Sequence, residues 1–311
     1  MRNSKKYVRM LAFVLALVTL VGCNSKGKDA AVATNSNTSA ETRIYESESG
    51  PMEIPYEPQR IVILDTSLSG HFIKLGASIA GIDSWTGTNP TFQDMLQDIP
   101  ELSQDDVEQI TALKPDLIVA PASNKNLALF GKLAPTITLT YGKQDYLERF
   151  VEVGKILNKE EEAKAWVEDF KARAAKLGEE VRSKHGDDLT VTVMESYDKQ
   201  IYVYGDAFAR GTEILYKEMK VKMPDTVKEA VSQAGMGMLS AEVIPNFVGD
   251  YLIICQSSAS DHSFQQTETF KSIPAVQNQR YVEVPSSWFA FNDPITLDLQ
   301  LTFIRDLFLG K

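Results

Sequence analysis

Histidine and cysteine, on which much metal and nucleophile chemistry depends, are scarce in this sequence of 311 residues. The three histidines, His71, His185 and His262, lie far apart and do not have the spacing of metal ligands. The segment 66–70 lacks the first glycine of a Gly-x-Ser-x-Gly nucleophile elbow, and the sequence has no glycine-rich loop of the kind that cradles phosphates. These absences argue against a hydrolase and against a zinc or manganese binder. We therefore expect no enzyme activity, no cofactor and no metal ligand supplied by the protein.

Positive charge is also in deficit. Lysine and arginine total 32 residues against 42 aspartates and glutamates, which gives a net charge of −10 and an isoelectric point near 5.0. This balance argues against nucleic acid as a partner, although it is compatible with a local basic pocket. The chain has only two cysteines. Cys255 lies in the apolar run 251–255, so we expect it to be buried and unpaired, in a fold that is stable through its core without disulfides.

Long apolar runs are missing, except for one near the start of the chain. Four basic residues among the first nine precede an uncharged run at 11–21, which has the length of the apolar region of a signal peptide and is short for a membrane span. The run ends in Leu-Val-Gly-Cys, which resembles the lipobox of bacterial lipoproteins. The resemblance implies cleavage of a signal peptide, 1–22, and addition of acyl chains such as palmitate to Cys23. Two chains on one residue anchor a protein stably to a membrane.

Polar sequence of low complexity separates this anchor from the rest of the chain. The segment 23–41 comprises the lipidated cysteine and a predicted flexible tether rich in serine, asparagine, alanine and threonine. We expect the remainder to be extracytoplasmic, held at the cell membrane by the lipid while it still tumbles. About 270 residues follow, which is enough for two lobes with separate cores.

Apolar strand candidates alternate with helical stretches in the regions 42–145 and 187–311. This alternation predicts βαβ units and largely parallel sheets in an N-terminal and a C-terminal α/β lobe. The predicted strands are 60–64, 79–82, 116–120, 136–140, 189–194, 201–204, 251–255 and 280–284. The predicted helices of the two lobes are 68–75, 107–113, 210–219, 240–245 and 294–309.

The region 146–186 is a predicted helical connector. It has no proline, and its apolar residues recur at intervals of three and four. We expect a short helix to about Leu157, then one long helix at 159–183, about 37 Å in length, with Asn158 as its N-cap. A coiled-coil dimer is the alternative, but three heptads with one tryptophan make a poor seam, so we expect a monomer. The predicted fold is α/β, with two lobes of mainly parallel sheets joined by one long rigid α-helix.

Four blocks of the sequence resemble the iron–siderophore-binding lipoproteins of Gram-positive bacteria, which are substrate-binding subunits of ABC importers. The blocks read PQRIV from Pro58, VEQITALKPDLIV from Val107, LSAEVIP from Leu239 and WFAFNDPI from Trp288. The Ala-Arg-Gly segment 209–211 and the last block are most similar to the hydroxamate branch of ferrichrome and ferrioxamine type. The resemblance implies a periplasmic-binding-protein-like fold of class III. It also implies capture of a ferric hydroxamate siderophore between the lobes, followed by delivery to the permease subunits of an ABC transporter.

Arg210 suits the oxygen-rich face of such a ligand. Its planar guanidinium stays charged at any ordinary pH and donates hydrogen bonds to more than one oxygen. Gly211 would let the backbone come close, and the helix predicted to start here would offer free N–H groups and a positive dipole end. By resemblance, Arg210 is the ligand-binding arginine of the family. The iron arrives already coordinated by the siderophore, so the protein needs no metal ligands.

Flat apolar walls for the arms of the ligand are expected from aromatic residues. Tyr202 and Tyr204 share one face of a predicted strand, and Trp85 follows a strand on the usual ligand side of a parallel sheet. His71 begins the helix after the first strand and could border the cleft. The remaining candidates lie in a predicted loop before an Asp-Pro pair: Trp288, Phe289 and Phe291. The family often has tyrosine in this block, so the phenylalanines reduce the hydrogen bonding available to a ligand.

The same resemblance implies docking on a permease. In the family, one glutamate per lobe meets arginines of the permease subunits, and Glu108 and Glu242 occupy the matching positions. Exposed carboxylates suit a contact that must form and release, because they affect the association rate more than the final affinity.

Other ligands on the same fold remain open, namely a ferric catecholate, ferric citrate, heme or cobalamin. Catecholates carry more negative charge and would need several basic residues, whereas the sequence places only Arg210. A purely structural envelope lipoprotein is disfavoured by the plan of two lobes and one rod.

Overall fold

The computed structural model of the protein describes residues 41–197, 200–257 and 260–310. The predicted signal peptide, Cys23 and all but the last residue of the tether therefore lie outside the described residues. Within those ranges, no helix has the length and apolar character needed to cross a membrane.

A five-stranded parallel sheet forms the core of the N-terminal lobe. The main elements of this lobe are β1 (Thr42–Ser47), β2 (Gly50–Pro55), β3 (Ile61–Ile63), α1 (Thr66–Lys74), β4 (Ile79–Asp83), β5 (Glu101–Leu102), α2 (Val107–Ala112), β6 (Leu117–Val119), α3 (Leu127–Phe130) and β7 (Thr136–Ile137). Strands β3 to β7 form the five-stranded sheet, and β1 and β2 form a separate hairpin. The strand order is β5-β4-β3-β6-β7, and all four pairings are parallel. Helices cover the sheet, so all three residues of β3 are fully buried, as a strand between two layers requires. The β1–β2 hairpin was not predicted.

Two helices lead from this lobe to the next. They are α4 (Tyr146–Ile156) and α5 (Glu160–His185). The 26 residues of α5 give it a length of about 39 Å, which confirms the predicted long helix to within two residues at each end. The prediction of Asn158 as its N-cap is wrong: Asn158 has a left-handed backbone, with φ of 57°, and turns the chain between the two helices. A capping box is instead present at α4, where Asp145 and Glu148 accept each other's backbone N–H.

The C-terminal lobe contains a mixed sheet. Its elements are β8 (Val191–Tyr197), β9 (Gln200–Tyr204), a π-helical turn (Glu213–Glu218), α6 (Asp225–Val231), β10 (Met236–Leu239), a 3₁₀ helix (Ala241–Phe247), β11 (Tyr251–Gln256), α7 (Glu268–Lys271), α8 (Pro274–Gln277), β12 (Tyr281–Pro285), α9 (Ser286–Phe289) and α10 (Pro294–Leu309). The order is β10-β9-β8-β11-β12, with β8, β11 and β12 parallel and the β9 and β10 pairings antiparallel. The predicted helix 294–309 matches α10 at both ends. Cys255 is free and fully buried in β11, as predicted.

The two lobes are joined by direct packing as well as by α5. Helix α1 of the first lobe crosses α10 so closely that a Cβ atom on Gly70 would lie 2.2 Å from Cγ of Asp293. Only glycine allows this approach. Asp298 of α10 then accepts hydrogen bonds from Lys74 of α1 at 3.1 Å, from Trp166 of α5 at 3.3 Å and from Arg173 of α5 at 2.8 Å. Hydrogen bonds to one carboxylate therefore tie α1, α5 and α10 to one another.

Candidate functional site

A cavity of about 180 Å³ lies between the lobes and includes the predicted arginine. The N-terminal lobe lines it with residues that follow the C-terminal ends of strands, where parallel sheets usually bind ligands: 66–67 after β3, Trp85 after β4 and Tyr141 after β7. The C-terminal lobe contributes the loops 208–210 and 290–293. The cavity is therefore built from both halves of the chain, and we call it the Arg210 cavity.

Arg210 lies in a segment of unusual backbone conformation. Ala209, Arg210 and Gly211 have φ values of 57°, 58° and 77°, so three residues in a row are left-handed. For the two residues with a Cβ this costs about 1 kcal/mol or more each. The surrounding hydrogen bonds hold the loop in this form, since Arg210 N–H donates to the carbonyl of Phe289 at 2.7 Å and Ala209 N–H donates to Glu213 Oε1 at 2.9 Å.

The helix predicted to begin at Arg210 begins instead at Glu213. It is a single π-helical turn of six residues. In the loop before it, the Arg210 N–H donates to the carbonyl of Phe289 and the Thr212 N–H donates to the carbonyl of Ala209, so these two N–H groups are not free for a ligand as predicted. The contribution of Arg210 is consequently its side chain.

The guanidinium of Arg210 is paired with a buried carboxylate. Glu195 on β8 is 4% exposed, and its Oε2 accepts from Arg210 Nη2 at 2.7 Å and Nε at 3.1 Å. The same carboxylate accepts from Tyr204 at 2.6 Å and from Ser286 at 2.9 Å. Burial opposes the charge on Arg210, but Glu195 more than offsets this effect and raises the pKa of the arginine. Arg210 Nη1 also donates to the carbonyl of Phe208 at 2.8 Å. Each guanidinium nitrogen therefore has a partner, and the second hydrogens of Nη1 and Nη2 are the donors left for a ligand. The Arg210–Glu195 pair carries almost no net charge.

Tyr204 forms the floor under this pair. Its ring lies 4.6 Å from the Arg210 guanidinium carbon, a cation–π distance. Burial raises the pKa of Tyr204, so its hydroxyl remains a donor to Glu195. Tyr202 lies on the same face of β9, with its ring centroid 6.5 Å from that of Tyr204, which confirms the predicted shared face. Tyr202 itself is partly exposed outside the cavity.

Two aromatic side chains from opposite lobes meet at the cavity. Trp85 is 55% exposed and stacks on Phe291 with ring centroids 5.2 Å apart and an interplanar angle of 24°. Asp83 at the end of β4 fixes the tryptophan loop by accepting the Trp85 N–H at 3.0 Å. Phe92 supports Phe291 edge-on at 5.9 Å. The lobes therefore present a flat apolar wall beside Arg210.

Three predicted ligand residues have other surroundings. The short helix α9 turns Phe289 and Trp288 toward the core of the C-terminal lobe, where Phe289 is fully buried and lies 5.3 Å from the ring of Phe303. His71 is fully buried on α1, 6.0 Å from Phe150 by ring centroids. None of the three lines the Arg210 cavity. Trp288 and Phe289 lie in helix α9, where a loop was expected, and His71 lies within helix α1, where the start of a helix was expected.

Glu195 and Tyr141 lie at the site but were missed by the sequence reasoning. Glu195 follows the apolar run of the strand predicted at 189–194, and a carboxylate that interrupts a buried strand is a signal for a buried partner. Tyr141, which is 66% exposed, has no such signal because it lies in a turn.

The two predicted docking glutamates lie on the surface, one on each lobe. Glu108 is exposed in the first turn of α2, and Glu242 is exposed at the start of the 3₁₀ helix 241–247. Hydrogen bonds from its own backbone and from Ser240 lower the pKa of Glu242, so it stays ionised. No group of three His, Cys, Asp or Glu side chains in the described parts of the chain is placed to hold a metal ion.

Comparison with known proteins gives a consistent result. The family described as "Periplasmic binding protein" matches residues 61–287. The iron(3+)-hydroxamate-binding protein FhuD of Bacillus subtilis is 29% identical over 299 residues, which cover 94% of each chain. Among solved structures, the FhuD protein of S. pseudintermedius is 31% identical with a TM-score of 0.78, over 87% of this chain and 99% of that one. FhuD2 of Staphylococcus aureus, solved with bound ferrioxamine B, is 30% identical with a TM-score of 0.77, over 81% and 99%.

Proposed function

This chain belongs to the periplasmic binding protein family, and from that premise we propose that it is the extracytoplasmic substrate-binding lipoprotein of an ABC importer for a ferric hydroxamate siderophore. The ligand binds in the cleft between the lobes, and the protein then delivers it to the permease. The observation that carries the proposal is the Arg210–Glu195 pair next to the stacked Trp85 and Phe291. Two relatives that cover 94% and 99% of the chain, both named as iron(3+)-hydroxamate-binding proteins, support the same ligand class.

Charge favours a hydroxamate over a catecholate. Three singly charged hydroxamates balance Fe³⁺ and give a neutral chelate, whereas three doubly charged catecholates leave it strongly negative. Glu195 cancels the charge of Arg210 within one hydrogen-bonded pair, so this pair offers donors for the oxygens around the iron but little attraction for a negatively charged iron centre. A neutral, oxygen-rich ligand fits this combination best.

The aromatic wall suits the remainder of the ligand. Hydroxamate oxygens surround the iron, and hydrocarbon arms link them. Trp85 is more than half exposed, so covering it with an apolar arm would remove solvent-accessible aromatic area, which stabilises the complex by about 25 cal/mol per Å². Phe291 extends the same surface on the other lobe. Ligand binding therefore requires both lobes.

A fluorescence titration tests the proposal. Ferrioxamine B, ferrichrome, a ferric catecholate, ferric citrate and hemin are titrated into the lipid-free chain from residue 24 onward. We expect saturable quenching by the hydroxamates and at least about tenfold weaker binding by Arg210→Ala, because charge-assisted hydrogen bonds are lost. Quenching by the catecholate or hemin alone would contradict the hydroxamate assignment, and no quenching by any ligand would contradict the function.

Matched variants separate a lost contact from a lost fold. Arg210→Ala leaves Glu195 buried without its cation, so the double variant Arg210→Ala/Glu195→Gln removes the unpaired charge and isolates the ligand contact. Arg305→Ala on the exposed face of α10 is the control for a surface arginine. Trp85→Phe removes the tryptophan nearest the ligand, and we expect it to abolish most of the quenching while ligand binding, followed by calorimetry, persists.

Delivery to the permease is proposed to use Glu108 and Glu242. Both are exposed and lie on different lobes, so each can meet one permease subunit. We expect Glu108→Lys and Glu242→Lys to reduce siderophore uptake into permease-bearing vesicles while the titration curve of the isolated protein stays unchanged. Glu229→Lys, an equally exposed site on α6, is the control. Unchanged uptake in the Glu108→Lys/Glu242→Lys double variant would rule out these glutamates as docking groups.

A further inference from the structure

A second cavity, of about 220 Å³, adjoins the Arg210 cavity. The turn 141–146 and Arg149 of α4 line it from one side, and Glu213, Lys217 and Asn292 line it from the other. Tyr141 and Asn292 border both cavities. These two residues separate the two cavities, so a ligand in the Arg210 cavity lies next to the second cavity. We call the second one the Arg149 cavity.

Arg149 is a buried cation with unused donors. It is 5% exposed, and its Nη2 donates to Asn292 Oδ1 at 3.2 Å. Its Nε and Nη1 are buried and have no hydrogen-bond partner among the residues that the structure describes. Buried charged donors without acceptors are costly and are rarely kept without a reason. Arg149 therefore differs from Arg210, whose Nε and Nη2 already bind Glu195.

The neighbouring carboxylates do not pair with Arg149. Glu213 Oε1 accepts from Ala209 N–H at 2.9 Å and from Asn292 Nδ2 at 3.0 Å, and Asp145 caps α4. The charge of Arg149 acts to lower the pKa of Asp65, although burial raises that pKa more. No ion pair of Arg149 is formed within the described ranges. Its positive charge is consequently available to a ligand.

Tyr141 covers this charge. Its ring lies 5.2 Å from the Arg149 guanidinium carbon, and the side chain is 66% exposed. Rotation of an exposed side chain is a fast and inexpensive motion. If the Tyr141 ring turns outward, the two cavities join and Arg149 faces the ligand.

We propose that the Arg149 cavity binds a carboxylate carried on an arm of the chelate whose ferric centre lies at Arg210. The inference depends on the proposed function. The volume of the Arg149 cavity accommodates a carboxylate on a short stem. The planar fork of arginine matches a carboxylate with two parallel hydrogen bonds. Lys217 and Lys143 also line the cavity and add positive charge. Glu48 offsets part of the charge of Lys143, because its Oε2 lies 3.5 Å from Lys143 Nζ.

Three ligands that differ only in one arm test the inference. Ferrioxamine B ends in an ammonium group, its N-acetyl derivative in a neutral amide and its N-succinyl derivative in a carboxylate, and the ferric centre is the same in all three. We expect the wild-type protein to bind the succinyl ligand about tenfold more tightly than the acetyl ligand, the difference that one charge-assisted hydrogen bond provides. Calorimetry at two salt concentrations measures all three, and the preference should shrink at high salt.

Variants of Arg149 test whether this residue causes the preference for the succinyl ligand over the acetyl ligand. In Arg149→Met we expect the ratio of succinyl-ligand to acetyl-ligand affinity to fall to about one, from about ten in the wild-type protein. Arg149→Lys, which keeps the charge but loses the fork, should retain part of it. Arg305→Met is the surface control. Because Arg149 is buried and Arg149→Met removes a partner of Asn292, thermal unfolding of each variant is measured first. If Arg149→Met does not fold, the wild-type ligand series still decides the question.

The outcomes distinguish the two proposals. Equal wild-type affinities for the three arms, with tight binding of all, would overturn the carboxylate subsite and leave the function intact. If none of the chelates binds, the function is overturned and the subsite with it. Succinate alone is included because a free anion has the same chemistry as the arm. We expect it to bind no tighter than about 1 mM, and tighter binding would overturn the assignment to a ligand arm.

Discussion

The environment of His71 changes its acid–base behaviour. The side chain is fully buried on α1. Burial, and to a smaller extent the charge of Arg149, lowers its pKa to about 3. In the unfolded chain the same group has a pKa of about 6.5. Between these two values the unfolded state holds a proton that the folded state does not hold. The free energy of unfolding therefore rises with pH across this window, and the stabilisation is complete above it and lost as the pH falls.

The rise of the unfolding free energy with pH gives a prediction for the His71→Met variant. Methionine is apolar and adaptable enough to fill the site, and it does not titrate. Between about pH 6 and pH 4.5 we expect the wild-type protein to lose about 2 kcal/mol of unfolding free energy relative to the variant. Urea unfolding at each pH measures the difference. The control is His262→Gln at a partly exposed position. Parallel curves for wild type and His71→Met would mean that the folded protein protonates His71 as readily as the unfolded chain does.

Single residues also show where sequence reasoning about the site was sufficient. Arg210, Trp85 and Phe291 meet at one cavity. Arg210 was identified through the resemblance to the family, and Trp85 and Phe291 were identified because core packing does not readily explain large aromatic residues in predicted loops. Glu195, Tyr141 and Arg149 were not identified. They come from three separate segments. Glu195 carries a local signal, as a carboxylate that interrupts a buried strand, but its partner Arg210 lies in a separate loop. Tyr141 and Arg149 acquire their roles from each other and from Asn292 of the other lobe, which no local pattern records.

Among the elements, those predicted correctly are the ones that local chemistry defines. Helix α10 has Asp293 as N-cap, Pro294 in its first turn and Gly310 in a left-handed C-cap. These residue types are typical of helix ends, so both ends of α10 are predictable from the sequence. The core strands are continuous apolar runs because helices cover both of their faces. The long helix α5 has the apolar period of a helix that packs along one side.

The elements that were missed depend on tertiary contacts. The β1–β2 hairpin and the edge strand β10 lack a strong apolar alternation, since much of each strand is exposed. The π-helical turn after Arg210 follows three left-handed residues that are held by Glu213 and by the carbonyl of Phe289. The sequence analysis predicted a helix at 210–219. The left-handed loop that positions Arg210 delays the start of the helical segment to Glu213.

At the scale of the whole molecule, the lobes are restrained at two places. Helix α5 is unbroken, and bending it would break backbone hydrogen bonds. Helices α1 and α10 also touch directly, at Gly70 and Asp293, and Asp298 joins Lys74 to α5. Large hinge motions need a flexible connection with few contacts across it. The lobes of this protein lack such a connection within the described residues, so closure on ligand is expected to be only a few degrees.

Small-angle X-ray scattering tests this restraint. For the lipid-free domain, with a radius of gyration of about 18 Å, we expect saturating ferric hydroxamate to change the radius by less than about 0.5 Å. Gly70→Ala would place a Cβ 2.2 Å from Asp293 and force α1 from α10, whereas Gly178→Ala creates an equally close contact, 2.2 Å from the carbonyl of Met219, inside the C-terminal half. Both variants should lose stability, but only Gly70→Ala should enlarge the ligand-induced change. A compaction of more than about 1 Å in the wild-type protein would show that α5 and the α1–α10 contact do not restrain the lobes.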